Sequence, residues 1–97
     1  MKAYDVKTLR PCRSGGIIVE GHFRRKFSMH ELCSLLMGVA KCSETLGVAR
    51  FSHEGCDITI YRNGRVDVHG VTSEEEAIEF INDIKLIVED AFVDQFI

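Results

Sequence analysis

The stretch DITIYRNGRVDVHGVTSEEEA, residues 57–77, decides the fold of this chain. Apolar and polar residues alternate on both sides of the segment Arg62-Asn63-Gly64, which is the pattern of two strands that each bury one face. A three-residue loop with Gly64 in the left-handed conformation keeps the apolar side chains on one face, whereas a two-residue loop would mix the faces. The apolar pairs expected across this hairpin are Ile60 with Val66 and Ile58 with Val68.

The same stretch ends at the start of a helix. Thr72-Ser73 followed by three glutamates is typical of a helix N-terminus, because a hydroxyl caps the free N–H groups and the helix dipole favours anions. Apolar residues then recur at helical spacing, which predicts one buried stripe. The stripe consists of Ala77, Ile81, Ile84, Val88 and Ala91, with Phe80 and Ile87 beside it.

The remaining residues predict three more strands and one more helix. The helix is expected to begin at Ser28, which stands in capping-box spacing with Glu31, and to continue until Gly47 stops it. The order β-β-α-β-β-β-α predicts an α+β fold in which two helices cover one face of an antiparallel β-sheet. The strands are expected over residues 3–10, 17–23 and 48–52. The apolar face of this first helix is Leu32, Leu35, Leu36, Val39 and Ala40.

Length and composition predict one globular domain, residues 1–97, with a single core. The first five residues lack the apolar run of a secretory signal, and the longest run of apolar residues and glycine, 35–40, is far shorter than a membrane span. We therefore expect a cytoplasmic protein that does not insert into membranes. Without a signal sequence, the four cysteines are expected to be thiols rather than disulfides. Cys33 and Cys42 are expected on opposite faces of the first helix, so that they cannot bind one ion together.

Charge is distributed unevenly along the chain. Residues 1–50 contain nine Lys/Arg and four Asp/Glu, a formal charge of +5, whereas residues 51–97 contain three and eleven, a formal charge of −8. Such a dipole can orient the chain on a charged partner, although opposite signs on a sheet edge and a helix surface also serve solubility alone. The basic run Arg24-Arg25-Lys26 is a candidate contact for an acidic protein surface or for phosphates, or else a solvated turn.

The segment YRNGRVDVHGVTSEEEA, residues 61–77, resembles one repeat of the TATA-box-binding protein family. That family shows a strand, a Ser-Gly-Lys type turn, a second strand, a glycine and a Ser-Glu-Glu helix start. The resemblance extends over about residues 16–92, one repeat where the family has two, and it implies the family's fold. The polar hairpin face and the acidic chain depart from a family that clamps DNA with phenylalanine wedges. Nucleic-acid binding is therefore only the third hypothesis, and its cations would be Arg10, Arg13, Arg24, Arg25 and Lys26.

A second resemblance concerns LRPCR, residues 9–13, taken together with the SEEEA helix start, residues 73–77. These segments are similar to small single-repeat domains that accompany iron–sulfur proteins in anaerobic bacteria and archaea, methanogens included. The resemblance implies a regulatory accessory subunit, without a cofactor of its own, that docks on a larger iron–sulfur or corrinoid-dependent complex of one-carbon metabolism. Cys12 lies between Arg10 and Arg13, which favour its thiolate, so it is the candidate for a redox or oxygen response. An ordinary thiol is the alternative for Cys12.

The polar face of the hairpin is the first candidate for binding a partner protein, because both predicted helices cover the opposite face. Phe96 and Ile97 make the C-terminus unusually apolar, so they either pack on the core or dock on the partner. No phosphate loop, nucleophile–base pair or isolated carboxylate pair points to catalysis, and we expect no enzyme activity. The candidate residues for partner binding are Thr59, Tyr61, Arg65, Asp67, His69, Arg24, Arg25, Phe96 and Ile97.

Two His/Cys pairs define an alternative function, which is to bind or carry a metal ion or an iron–sulfur cluster. His30 and Cys33 share a face of the first helix, and His53 and Cys56 flank a turn that the chain brings back towards the start of that helix. These four residues are the ligand types of a tetrahedral zinc site. The plain alternative, two exposed histidines and small buried cysteines, is the commoner role of such residues.

Overall fold

The structure is a computed structural model that describes residues 4–11 and 17–93, and the side chains of 17–93. Within these residues, one six-stranded antiparallel sheet and two helices form an α+β fold. The strands lie side by side in the order β1-β2-β6-β5-β4-β3. Along the chain the elements are β1 Tyr4–Pro11, β2 Ile17–Phe23, α1 Met29–Leu35, β3 Lys41–Ser43, β4 Val48–His53, β5 Cys56–Tyr61, β6 Arg65–Val71 and α2 Glu74–Val88, followed by a short 3-10 helix, Glu89–Ala91.

The β5–β6 hairpin has the register that the sequence predicts. Ile60 pairs with Val66, and the next apolar pair follows two residues away on each strand. Gly64 has a φ of 95°, the left-handed conformation that the three-residue loop requires. The side chain of Asn63 accepts a hydrogen bond from the N–H of Arg65 at 3.0 Å, which closes the turn. The prediction of the hairpin is confirmed.

The first helix ends earlier than the sequence predicts. It stops at Leu35 rather than near Gly47, because Gly38 adopts a φ of 82° and the chain turns there. The residues after the turn form β3, which pairs with β4 and was not expected. Val39, expected on the buried face of the helix, is 64% exposed.

A disulfide joins Cys33 of α1 to Cys42 of β3, with 5.5 Å between their Cα atoms. The prediction that all cysteines are thiols is therefore wrong for this pair, as is their predicted place on one helix. The early end of α1 is the reason, since it lets the chain return beside the helix and brings Cys42 next to Cys33. Cys56 is a buried free thiol.

Both helices pack on the same face of the sheet. Ser28 caps α1 by accepting a hydrogen bond from the N–H of Glu31 at 3.4 Å, and Ser73 caps α2 through the N–H of Glu76 at 3.1 Å. The five residues of the predicted stripe on α2 and the 3-10 helix are all fully buried. Burial of each isoleucine among them stabilises the fold by roughly 1.5–3 kcal/mol. Among the described residues, neither helix combines the length and the apolar character that crossing a bilayer requires.

Candidate functional site

The face of the sheet opposite α1 and α2 is the candidate binding surface, and we call it the open face. In the described part of the chain both helices lie on the other side, against the apolar side chains of β2, β4, β5 and β6. The strand register sets which side chains share the open face. They are Ile18, Glu20 and His22 of β2, Lys41 and Ser43 of β3, Val48, Arg50 and Ser52 of β4, Asp57, Thr59 and Tyr61 of β5, and Arg65, Asp67 and His69 of β6.

A charged network occupies the centre of this face. The guanidinium of Arg65 donates two hydrogen bonds to the carboxylate of Asp67, at 2.9 and 3.0 Å, and lies 3.8 Å from Glu20. The hydroxyl of Tyr61 donates to the same Asp67 carboxylate at 3.4 Å. These bonds to Asp67 raise the pKa of Arg65 above its ordinary value. One arginine thus pairs with two carboxylates, so the protein itself compensates part of the negative charge at the centre of the open face.

The predicted partner-binding residues of the hairpin do lie on the open face, but they are not equally accessible. Thr59 is 8% exposed and Asp67 is 5% exposed, because longer neighbouring side chains cover them. Tyr61, Arg65 and His69 are half-buried and reach the surface. A partner can therefore contact these three side chains, while Thr59 and Asp67 support them from below.

The other predicted contact residues lie elsewhere. Arg24 and Arg25 are exposed in the connection between β2 and α1, and the guanidinium of Arg25 lies 4.6 Å from the centre of the Phe92 ring. This cation–π contact fixes Arg25 against the protein's own core. The remaining predicted residues, Cys12, Phe96 and Ile97, lie outside the described residues.

Two cations that the sequence did not single out lie side by side at the β3–β4 end of the open face. Lys41 is directly opposed to Arg50, and both side chains are exposed. Neither forms an ion pair or hydrogen bond with another residue in the part of the chain that the structure describes. No sequence signal could have found this pair, because it depends on β3, which lies where a helix was expected.

The four predicted zinc ligands do not converge. Cys33 is bonded to Cys42, and His30 lies 3.6 Å from a carboxylate oxygen of Glu44. Burial raises the pKa of the Cys56 thiol, and nearby carboxylates, that of Glu76 first, raise it further. A protonated thiol and a disulfide sulfur are poor ligands, since zinc binds thiolates.

A different group surrounds His53. One ring nitrogen of His53 and one carboxylate oxygen each of Glu54 and Asp83 lie within 4.8 Å of one another. The Nε2 atom is buried and has no hydrogen-bond partner in the described residues; Glu54 Oε2 is only 3.3 Å away but is not aligned for a hydrogen bond. An imidazole with two carboxylates suits a divalent ion such as Zn²⁺ or Mn²⁺. Both carboxylates are exposed, however, so each is also satisfied by water.

No model of a protein family matches this chain, and no curated protein matches it either. A fold alone does not specify a function, because the same fold serves many. Function therefore has to follow from the chemistry of the open face.

Proposed function

We propose that this chain is a small, non-enzymatic accessory or regulatory protein that binds a larger protein complex through its open face. The observation that carries the proposal is the one-sided covering of the sheet: in the described residues both helices pack on one face, and polar side chains line the other. A sheet with one covered and one polar face is ordinary in antiparallel proteins. Here the polar face also presents an aromatic ring, Tyr61, and two cations, Lys41 and Arg50, that have no partner within residues 17–93. Tyrosine and arginine are residue types enriched at interfaces.

A protein partner suits this surface better than a nucleic acid. Binding to duplex DNA needs several Lys or Arg contacts to phosphates, and the carboxylates of Glu20, Asp57 and Asp67 share the face with the cations. Arg65 is already committed to two of these carboxylates. Nucleic-acid binding thus remains the weaker alternative, which a salt-dependent mobility shift would reveal.

Two finer parts of the proposal have separate support. A single repeat of the TATA-box-binding-protein type is supported by the chain order over residues 17–88, in which one strand, a helix, four antiparallel strands and a second helix follow each other. An iron–sulfur or corrinoid-dependent complex as the partner, with a redox or oxygen response, is supported only by the resemblance of residues 9–13 and 73–77.

Site-specific photo-crosslinking in the cells that make the protein tests the proposal. Tyr61→p-benzoylphenylalanine places the crosslinker on the open face and keeps an aromatic ring there. Leu86→p-benzoylphenylalanine is the matched control, because Leu86 is 71% exposed on α2, on the opposite side of the molecule. We expect one defined adduct from the Tyr61 position that is missing from the Leu86 position. Equal adducts from both positions, or none from Tyr61, would contradict docking through the open face.

Binding of a divalent metal ion is the second candidate function, and it is favoured by the buried Nε2 atom of His53, which has no hydrogen-bond partner among the described residues. Calorimetric titration of the metal-free protein with Zn²⁺ tests it. We expect a single site that His53→Ala removes and that His30→Ala leaves intact, because His30 lies apart from the group of His53, Glu54 and Asp83. No heat of binding, or equal loss in both variants, would reject this candidate.

A further inference from the structure

A groove of about 690 Å³ lies at the β3–β4 edge of the sheet. One wall is the connection from α1 to β3, residues 38–41, and the other is formed by β4 and the start of β5, residues 50–52 and 57–58. Its volume is in the range of pockets that take small ligands or short peptide segments. We call this concavity the edge groove.

The edge groove exposes the edge of a strand. β3 pairs only with Val48–Arg50, so among the described residues Phe51–His53 has a ladder partner on the β5 side alone. In an antiparallel strand, alternate residues direct their N–H and C=O groups to the two sides. At least one residue of Phe51–His53 therefore directs both groups into the groove, where a further strand could pair with them.

The groove carries net positive charge. Its lining contains two cations, Lys41 and Arg50, and one carboxylate, Asp57. Asp57 accepts a hydrogen bond from the hydroxyl of Ser52 at 3.1 Å, whereas the two cations have no partner in the described part of the chain. Like charges that face each other across two strands destabilise a sheet. An acidic ligand would relieve this repulsion and gain two charge pairs.

The wall formed by residues 38–41 includes apolar side chains and is held in place. Val39, which lines the groove, is 64% exposed, and Met37, two residues earlier in the chain, is 79% exposed. The Cys33–Cys42 disulfide closes the loop that carries both side chains. A wall that is already fixed reduces the entropy lost when a ligand binds.

We propose that the edge groove binds an extended, acidic peptide segment, which adds as a strand along Phe51–His53 in line with β3. Strand addition of this kind takes its affinity from main-chain hydrogen bonds and its specificity from alternate side chains. Carboxylates of the segment pair with Lys41 and Arg50, and an apolar side chain packs on Val39. The proposal rests on the proposed function, because the segment belongs to the partner protein, and it specifies the chemistry of that partner.

Fluorescence titration of the full chain with labelled peptides tests this inference. The probe is Gly-Glu-Val-Glu-Val-Glu-Gly; lysine replaces glutamate in the first control peptide, and proline, which cannot pair as a strand, replaces valine in the second. We expect the Glu-Val peptide to bind about tenfold more tightly than either control, because the lysine peptide loses both ion pairs and the proline peptide loses its main-chain pairing. Equal affinities for the Glu-Val and Lys-Val peptides, or no binding at about 1 mM, would overturn the proposal.

Charge reversal locates the binding. The double variant Lys41→Glu, Arg50→Glu should prefer the Lys-Val peptide, whereas Lys85→Glu on α2 should bind like the unchanged chain. All three residues are at least partly exposed, so the variants are expected to fold, and circular dichroism checks this. An unchanged preference in the double variant would also overturn the proposal.

The crosslinking experiment separates the two proposals. If the Tyr61 adduct forms in the unchanged chain and persists undiminished in the double variant, the open face is an interface and the edge groove plays no part in it. If the Glu-Val peptide binds as expected but no Tyr61 adduct forms, the groove proposal stands and docking through the open face does not.

Discussion

Gly64 provides a sharp test of how the hairpin packs on the rest of the fold. A Cβ atom at position 64 would lie 2.6 Å from the carbonyl oxygen of Phe23, and closer still to that of Arg25. Both neighbours are backbone atoms that cannot rotate away as a side chain would. The N–H of Phe23 also donates to the carbonyl of Gly64 at 2.8 Å, so the two segments are tied together. We predict that Gly64→Ala destabilises the protein severely.

Gly70 is a matched control for this variant. Its φ is 96°, against 95° for Gly64, but a Cβ at position 70 meets nothing within 4 Å. Both substitutions incur the conformational penalty of an L-residue at positive φ, about 1–2 kcal/mol, and both restrict the unfolded chain equally. Only Gly64→Ala adds the steric term, which is about 1–3 kcal/mol for an overpacked site. The difference between the two variants should therefore be about 2 kcal/mol.

Urea denaturation followed by far-ultraviolet circular dichroism measures this difference, with the slope m compared to check that both variants unfold alike. In thermal denaturation, about 2 kcal/mol corresponds to a melting temperature roughly 8–16 °C lower for Gly64→Ala than for Gly70→Ala in a domain of this size. If the two variants agree within about 0.5 kcal/mol, the hairpin does not pack against residues 23–25 as described.

Two further predictions concern charge. Arg65→Ala should lower the free energy of unfolding by about 2 kcal/mol, because it leaves the buried carboxylate of Asp67 with Tyr61 as its one remaining side-chain partner in the described residues. Asp67→Ala should lower it by about half as much, because Arg65 is a third exposed and still pairs with Glu20. Urea denaturation that ranks the two variants in the opposite order would contradict this assignment. Burial raises the pKa of Cys56, so folding favours its neutral thiol. The stability that this preference contributes is present below the ordinary thiol pKa of 9.0 and is lost as pH rises above it. Cys56→Ala should therefore show a smaller loss of stability between neutral and alkaline pH than the unchanged chain; parallel pH profiles would argue against this role.

The sequence predicts those parts of the fold that depend on local signals. The alternation around Gly64 fixes the hairpin register, because any other loop length would turn apolar residues to the polar face. The cap at Ser73 and the spacing of Ile81 and Ile84 likewise specify α2 without reference to the rest of the chain. In each case the residues that carry the signal are close in sequence.

The end of α1 could not be predicted in this way. The chain offers two glycines that can end the helix, Gly38 and Gly47, and the apolar spacing continues past the first of them to Val39. The helix ends at the first of them because β3 pairs with β4 and Cys42 forms the disulfide, both of which are tertiary contacts. A three-residue strand has too few residues to show a period, so the sequence gives no warning of it.

The burial of individual side chains on the open face could not be predicted from the sequence, for a related reason. Periodicity assigns a residue to a face, but it does not say which side chains from neighbouring strands will cover it. Thr59 and Asp67 lie on the predicted face and are nevertheless buried, and Ile18 is only 6% exposed there. The side chain of Arg65, two residues away on the same strand, donates two hydrogen bonds to Asp67 and helps to cover it.

Charge is compensated at the centre of the open face but not at its β3–β4 end, and this contrast favours the β3–β4 end as the place where the proposed partner binds. At the centre, Arg65 lies between Asp67 and Glu20, so the protein supplies its own counter-ions. At the β3–β4 end, Lys41 faces Arg50, and the next strand places the uncharged Thr59 opposite Arg50. Within the described residues, these two cations have no counter-ion and the adjoining edge of β4 has no partner strand. Both features favour the same ligand, which is an acidic segment in an extended conformation.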